Sequence, residues 1–363
     1  GLELAEILYD KLVERGINTL VRMTPTVRME QSFFFKAHNR QLTFVPPGEA
    51  SLMEALNGSI YLYAPESLTH LQDVDPRRIG KALVARKDLR DILVRREEQG
   101  LYGWTLCALP TAELARQAGL SKRRYEGQII KACFLDDADP LARWKEVFRE
   151  ADAVKKWLNG MDVEYFHVES ARTDLIIAPG KRRKWIGVSG HNIPSFEIFL
   201  SPDWRGTRGV YFADQPSFRS GNYVKGVRLE FNRNGSVRSA TAEEGEEFIN
   251  RQIRMDPGAR RVGEFSLTDR RFSRINTFMA NTLFDENYGG RHGNCHLALG
   301  SSYSDTYDGD PAELMDNNKQ SLGFNQSALH WDLVNTEDKT VTARLTSGKR
   351  LVIYEKGVFR YRA

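Results

Sequence analysis

Apolar residues recur at three- and four-residue steps through most of the first half of the chain and in short extended runs through the second. In residues 2–15, Leu4, Ile7, Leu8 and Leu12 share one helical face, and Gly16 follows as a C-cap. Ile17–Met23 then reads as a strand. Helical and extended patterns keep alternating: Glu49–Leu56 helix, Ser59–Tyr63 strand, Pro76–Glu98 helix, Gly103–Cys107 strand. Such alternation predicts an α/β arrangement with a mostly parallel sheet. Thr111–Lys156 reads as helical nearly throughout. Trp144, Val147, Phe148, Ala151, Val154 and Leu158 lie on one stripe, which is assigned to the core.

Asn159-Gly160 stops the helical pattern. Short β runs follow at Val163–Val168, Thr173–Ile177, Lys184–Val188, Glu197–Leu200, Val210–Ala213, Val227–Phe231, Val237–Thr241, Val341–Leu345 and Leu351–Tyr354. Only Ala242–Ile253 stands out among them as a helix. The expected architecture is an N-terminal α/β domain with a mostly parallel sheet over residues 1–160. A β-rich α+β domain is expected over residues 161–363. The sequence has no low-complexity linker and no fixed-period repeat.

A chain of 363 residues can bury a large core, so it needs neither disulfide nor metal merely to fold. Its 52 basic and 48 acidic residues leave a net charge of +4 with the signs mixed, which argues against a nucleic-acid stripe. The basic stretches Arg123-Arg124-Tyr125 and Lys181–Lys184 are read as a solvated helix face and a turn. Asp305, Asp308 and Asp310 lack the spacing of a calcium loop and are read as solvated. Cys107, Cys133 and Cys295 have no C-x-x-C spacing, which fits a reduced, cytoplasmic chain. No apolar run reaches membrane-spanning length and no signal-peptide layout is present, so no membrane association is expected.

The chemistry concentrates in the second half. On a strand, His330 and Asp332 of His330-Trp331-Asp332 point to the same side. Glu197, Glu264, His296 and His330 each sit among apolar neighbours, where a charge or imidazole is costly to bury unless paired or bound to a cation. With Asp332 they supply two imidazoles and three carboxylates, a set suited to a pair of divalent ions. His-Glu-x-x-His, P-loop, dinucleotide and zinc-finger motifs are absent. Gly187-Val188-Ser189-Gly190 misplaces the glycine of a nucleophile elbow and is read as a turn. Cys295 would face away from His296 and is not nominated as a nucleophile. Asp285 and Glu286 fit either support of a metal-bound histidine or a capping and loop role.

Four blocks in order carry a family resemblance. They are Asn192–Phe199 with Ser201-Pro202, Gly263–Leu267, Asn281–Asn287 with His296–Gly300 and Tyr303, and Asn325–Leu333. Together they resemble the thermophilic-type metallo-aminopeptidases, the group of aminopeptidase T and aminopeptidase S. The match is clear from about residue 160 onward and weaker before it. The resemblance implies Glu197, Glu264, His296, His330 and Asp332 as metal ligands, with Tyr303 near or on the metals. It implies two divalent ions, of zinc, cobalt or manganese, and Glu264 and Tyr303 as catalytic residues. The implied reaction removes N-terminal residues from short peptides with a water activated between the ions. Which of Asp332, Glu197 and Glu264 bridges is left open. The family also implies a homodimer with its sites facing an enclosed cavity. Two departures stand out. Tyr288–Asn294 is a longer, glycine-rich loop that could shape the substrate pocket, and the N-terminus is short, as expected if a preceding strand were trimmed or lost. Hydrolysis of another amide, or metal or nucleic-acid binding without catalysis, are the alternatives.

Overall fold

Residue patterns of the first half produce the expected helices, but in shorter pieces. The computed structural model describes residues 1–314 and 316–361. The longest helix, Pro140–Asn159, begins where Asp139 accepts a bond from Ala142 N, with Pro140 in the first turn. It buries Val147, Ala151, Val154 and Leu158, the stripe read from the sequence. Trp144 on the same helix stacks on Phe196 with ring centroids 5.3 Å apart. The region 111–156 is not one helix. It is cut into Ala112–Gln117, Lys122–Ala132 and Pro140–Asn159, because Thr111, Ser121 and Asp139 each cap a fresh start. Pro76–Glu98 likewise divides at Arg86 into Pro76–Ala85 and Lys87–Glu98.

Ile17–Met23 is not a strand. Among the described residues no strand pairs with it, and Leu20, Val21 and Met23 are exposed, so its β propensity finds no sheet to join. A helix the pattern did not announce, Val27–Lys36, starts instead at Thr26, whose side chain accepts from Met29 N at 3.3 Å.

The parallel sheet is present and has three strands. Gly58–Tyr63 pairs with Gly103–Ala108, which pairs with Asn192–Ile193. That third strand belongs to the second half of the chain. It ties the parallel sheet to the segment that runs, through the cis Ile193-Pro194 bond, into Glu197.

Two antiparallel sheets make up most of the second half. The larger runs Val237–Thr241, Val227–Phe231, Arg208–Ala213, Asp174–Ile177, Val163–Glu169, Thr340–Leu345, Arg350–Glu355, Val358–Phe359. The smaller runs His330–Asn335, Asn294–Gly300, Val262–Thr268, Glu197–Leu200, Ile186–Gly187. Tyr211 Oη donates to Leu333 O at 2.6 Å, and Tyr354 Oη donates to Thr268 O at 2.7 Å, so the two sheets face each other. Every position of Val262–Thr268 and Asn294–Gly300 is buried, as expected of strands covered on both faces. Among the described residues no helix is long and apolar enough to cross a membrane.

Candidate metal centre

The smaller sheet brings all five sequence-nominated ligands onto one face. Glu264 and Asp332 both lie opposite Ala298, His296 lies opposite Ser266, Glu197 opposite Thr268, and His330 opposite Gly300. Two-residue periodicity then aligns their side chains. The intervening residues Phe265, Leu297 and Trp331 point the other way and are essentially fully buried in the core. One β-bulge between Val262 and Glu264 shifts the register beside Glu264. Gly263 permits it: a Cβ there would lie 2.2 Å from Ser301 O and 2.5 Å from Gly300 O. Gly263→Ala is therefore expected to destabilise the protein by about 2 kcal/mol or more, read as a lowered thermal midpoint. An unchanged midpoint would show that the bulge has slack.

Nitrogen and carboxylate atoms converge. His296 Nε2 lies 2.8 Å from Glu264 Oε1, 3.2 Å from Glu197 Oε2 and 3.9 Å from Asp332 Oδ1. His330 Nε2 lies 3.3 Å from Asp332 Oδ1 and 3.7 Å from Glu264 Oε2. Two triads result, Glu197–Glu264–His296 and Glu264–His330–Asp332, each with donor atoms within 4.8 Å of one another. Glu264 belongs to both and turns one oxygen toward each imidazole.

Burial pushes the Glu264 carboxyl up to about 7, against the pull of His296. Burial opposes charge on His330, but Asp332 outweighs it and holds the imidazole at about 9. His296 is likewise held well above its ordinary value, because Glu197 and Glu264 overcome its burial. The Asp332 carboxyl stays below its usual range despite burial, through His330 and His296. Three carboxylates crowded in the interior need positive charge among them. Divalent ions fit that need, and the mixed imidazole and carboxylate donors suit zinc, cobalt or manganese. The His330 ring is already set for such a role: Nδ1 lies 2.9 Å from Ser301 O, which assigns the proton there and leaves Nε2 for a ligand. His296 Nδ1 is buried with no hydrogen-bond partner among the described residues.

Several supporting residues are visible only in three dimensions. Asn287, fully buried, accepts from Phe196 N at 2.5 Å and Glu197 N at 3.0 Å, and its Nδ2 donates to Leu283 O at 2.9 Å. Ser266 Oγ donates to Glu197 Oε2 at 3.3 Å. Asp285 takes the loop role: it accepts from Met279 N and Asn281 N at 2.7 and 2.9 Å and touches no histidine. Glu286 accepts from Asn192 Nδ2 at 3.2 Å, and burial holds its carboxyl well above the ordinary value.

Tyr303 borders the second triad, its ring centroid 4.7 Å from that of His330. Tyr303 as a residue is 40% exposed. In the glycine-rich loop, a Cβ on Gly293 would lie 2.0 Å from Tyr354 Oη, and one on Gly289 2.5 Å from Ser273 O. These glycines therefore serve tight packing against the protein itself. His292 Nδ1 lies 3.4 Å from Asp338 Oδ1. Cys295 is buried on the core side, as expected from alternation with His296. The basic turn is used internally. Arg183 donates to Ser201 O and Leu322 O and covers the Phe324 ring, and Arg182 pairs with Asp308.

Known proteins resemble this chain. The Thermus thermophilus aminopeptidase T is 27% identical over 306 residues, covering 79% of this chain and 72% of that protein. The Streptococcus thermophilus aminopeptidase PepS is 28% identical over 273 residues, 70% of this chain; the match spans 64% of PepS, under two thirds of its length. The Geobacillus stearothermophilus aminopeptidase 2 is 28% identical over 349 residues, 89% of this chain and 82% of its own. The solved structure of wild-type AmpT from Thermus thermophilus superposes with a TM-score of 0.80 at 22% identity, covering 99% of this chain and 92% of the other. That likeness establishes the shared fold. The thermophilic metalloprotease (M29) description matches residues 1–359, nearly the full length, so the chain belongs to that family.

Proposed function

We propose that this protein is an aminopeptidase that removes N-terminal residues from short peptides with two divalent ions held by Glu197, Glu264, His296, His330 and Asp332. The observation that carries the reading is Glu264, which stands in both triads and so fits the bridging carboxylate. A pair of divalent ions there would lower the pKa of a water and polarise a peptide carbonyl. The rest falls to the chain's own side chains. Glu264 fixes the two triads against each other, and its burial raises its proton affinity. Tyr303, half-open beside His330, is placed to donate to the oxyanion that develops on the carbonyl. Asn287 and Ser266 hold Glu197 in line.

The proposed setting is the cytoplasm, as a homodimer, with zinc, cobalt or manganese as the ion. The relatives named above bear aminopeptidase names, which supports the reaction class.

The test is removal and return of metal. Purified protein is expected to hold about two ions per chain and to cleave leucine amides and short peptides. Chelation should abolish cleavage, and cobalt, zinc or manganese should restore it. Peptides with an acetylated N-terminus should be left intact. Full activity in protein shown to be free of metal would overturn the reading, as would cleavage of another amide with peptides and leucine amides untouched.

A further inference from the structure

The segment Ser327–His330 leads into the strand that carries His330 and Asp332, and its backbone is gripped residue by residue. Ser327 Oγ donates to Asp256 at 2.9 Å, and Ala328 N donates to Asp256 Oδ2 at 2.7 Å. Leu329 N donates to Ser327 Oγ at 3.0 Å, and Leu329 O accepts from Ser301 N at 2.7 Å. All of these partners come from the same half of the chain as the ligands.

Three carbonyls are taken by arginines instead. Arg90, on the helix Lys87–Glu98, donates Nη2 to Ser327 O at 3.2 Å and Nη1 to Ala328 O at 3.0 Å. Arg219, at the end of the short strand Ser217–Arg219, donates Nη1 to His330 O at 2.6 Å. Trp331 Nε1 donates to Ser217 Oγ at 2.9 Å, so the hairpin that Ser217–Arg219 forms with Asn222–Val224 grips two successive residues. That hairpin rests on the first half of the chain. Leu71 N donates to Gly221 O at 3.1 Å, and a Cβ on Gly221 would lie 2.6 Å from Leu71 Cβ. Both arginines therefore link residues 70–90 to the approach of one triad. The other triad has separate supports, since Glu197 and His296 stand on strands that neither arginine bonds.

We propose that Arg90 and Arg219 form a clamp by which the first half of the chain sets the position of His330 and Asp332, and hence the affinity for the ion that those two would hold. Both act as positioning residues through the backbone of the ligand strand, and the buried Arg219 guanidinium also sets positive charge near Asp332. Outer partners of metal ligands act in this way when they fix a ligand's orientation. The proposal rests on the two-ion reading above.

The test is a cobalt titration of metal-free parent, Arg90→Gln, Arg90→Lys and Arg219→Gln protein, followed by visible absorption and calorimetry. The parent should bind two ions in resolvable steps. Arg90→Gln and Arg219→Gln should weaken one step by about 10-fold or more and leave the other unchanged. Arg90→Lys should fall between, because an ammonium reaches one carbonyl where the guanidinium reaches two. Activity of the glutamine variants should recover as cobalt is raised. If Arg90→Gln does not fold, the other two variants carry the test. Equal weakening of both steps, or no change in either, overturns the clamp while leaving the two-ion reading intact. A parent that binds a single ion overturns that reading, and the clamp falls with it.

Discussion

Glu264→Gln is expected to keep the fold and lower turnover by more than about 100-fold. Loss of an outer partner of a metal ligand already costs about 10- to 100-fold, and Glu264 stands at the centre of both triads. The amide keeps the shape and can still accept from His296 Nε2, now 2.8 Å from Glu264 Oε1. What it loses is the charge that would face two ions at once. Metal content should fall from about two ions per chain, because neither triad keeps its full donor set. The metal-free variant should melt no lower than the metal-free parent, since one of three crowded carboxylates has gone. Elemental analysis, steady-state kinetics and thermal melting check the three parts. Near-normal turnover with full metal content would remove Glu264 from its shared position.

Asn287→Ala carries the second large effect. Its amide serves two buried backbone N–H groups and one carbonyl, at Phe196, Glu197 and Leu283. Leaving a buried polar group without a partner costs about 1–3 kcal/mol, so three of them give an expected loss of about 3 kcal/mol or more. The loss falls on the residue that places Glu197, so affinity for one ion should drop together with stability. Asn287→Asp separates the two parts. It keeps the one oxygen that accepts from both Phe196 N and Glu197 N but sets a carboxylate against Leu283 O and beside Glu286. It should hold the Glu197 backbone better than alanine does and still melt below the parent. If Asn287→Ala melts and binds metal like the parent, the backbone at Phe196-Glu197 is held by other means.

The sequence made the candidate ligands legible because charge in an apolar run needs a reason. Glu197, Glu264, His296 and His330 stand out among Ile, Leu, Ala and Phe neighbours, and one sheet gathers them. The stripe on Pro140–Asn159 was legible for a related reason, since one helix face explains all of it. Other features depend on partners remote in sequence. Ile17–Met23 has strand-like residues but no strand beside it. Asn192–Ile193 joins the parallel sheet over two residues, too few for a periodic signal. The shared position of Glu264 arises from a bulge at Gly263 and from the lateral order of four strands. That order is what favours Glu264 over Asp332 and Glu197 as the bridge. Arg90 reaches carbonyls 237 and 238 residues away, and nothing near it in the sequence marks it out.

The central claim is that one carboxylate, Glu264, joins two ion sites on a single sheet face. Crystals of the protein loaded with cobalt, with anomalous scattering recorded at the metal edge, test it most directly. Two anomalous peaks are expected, one against Glu197 and His296, the other against His330 and Asp332, with an oxygen of Glu264 on each. A single peak, or two peaks with Glu264 touching only one, would contradict the account.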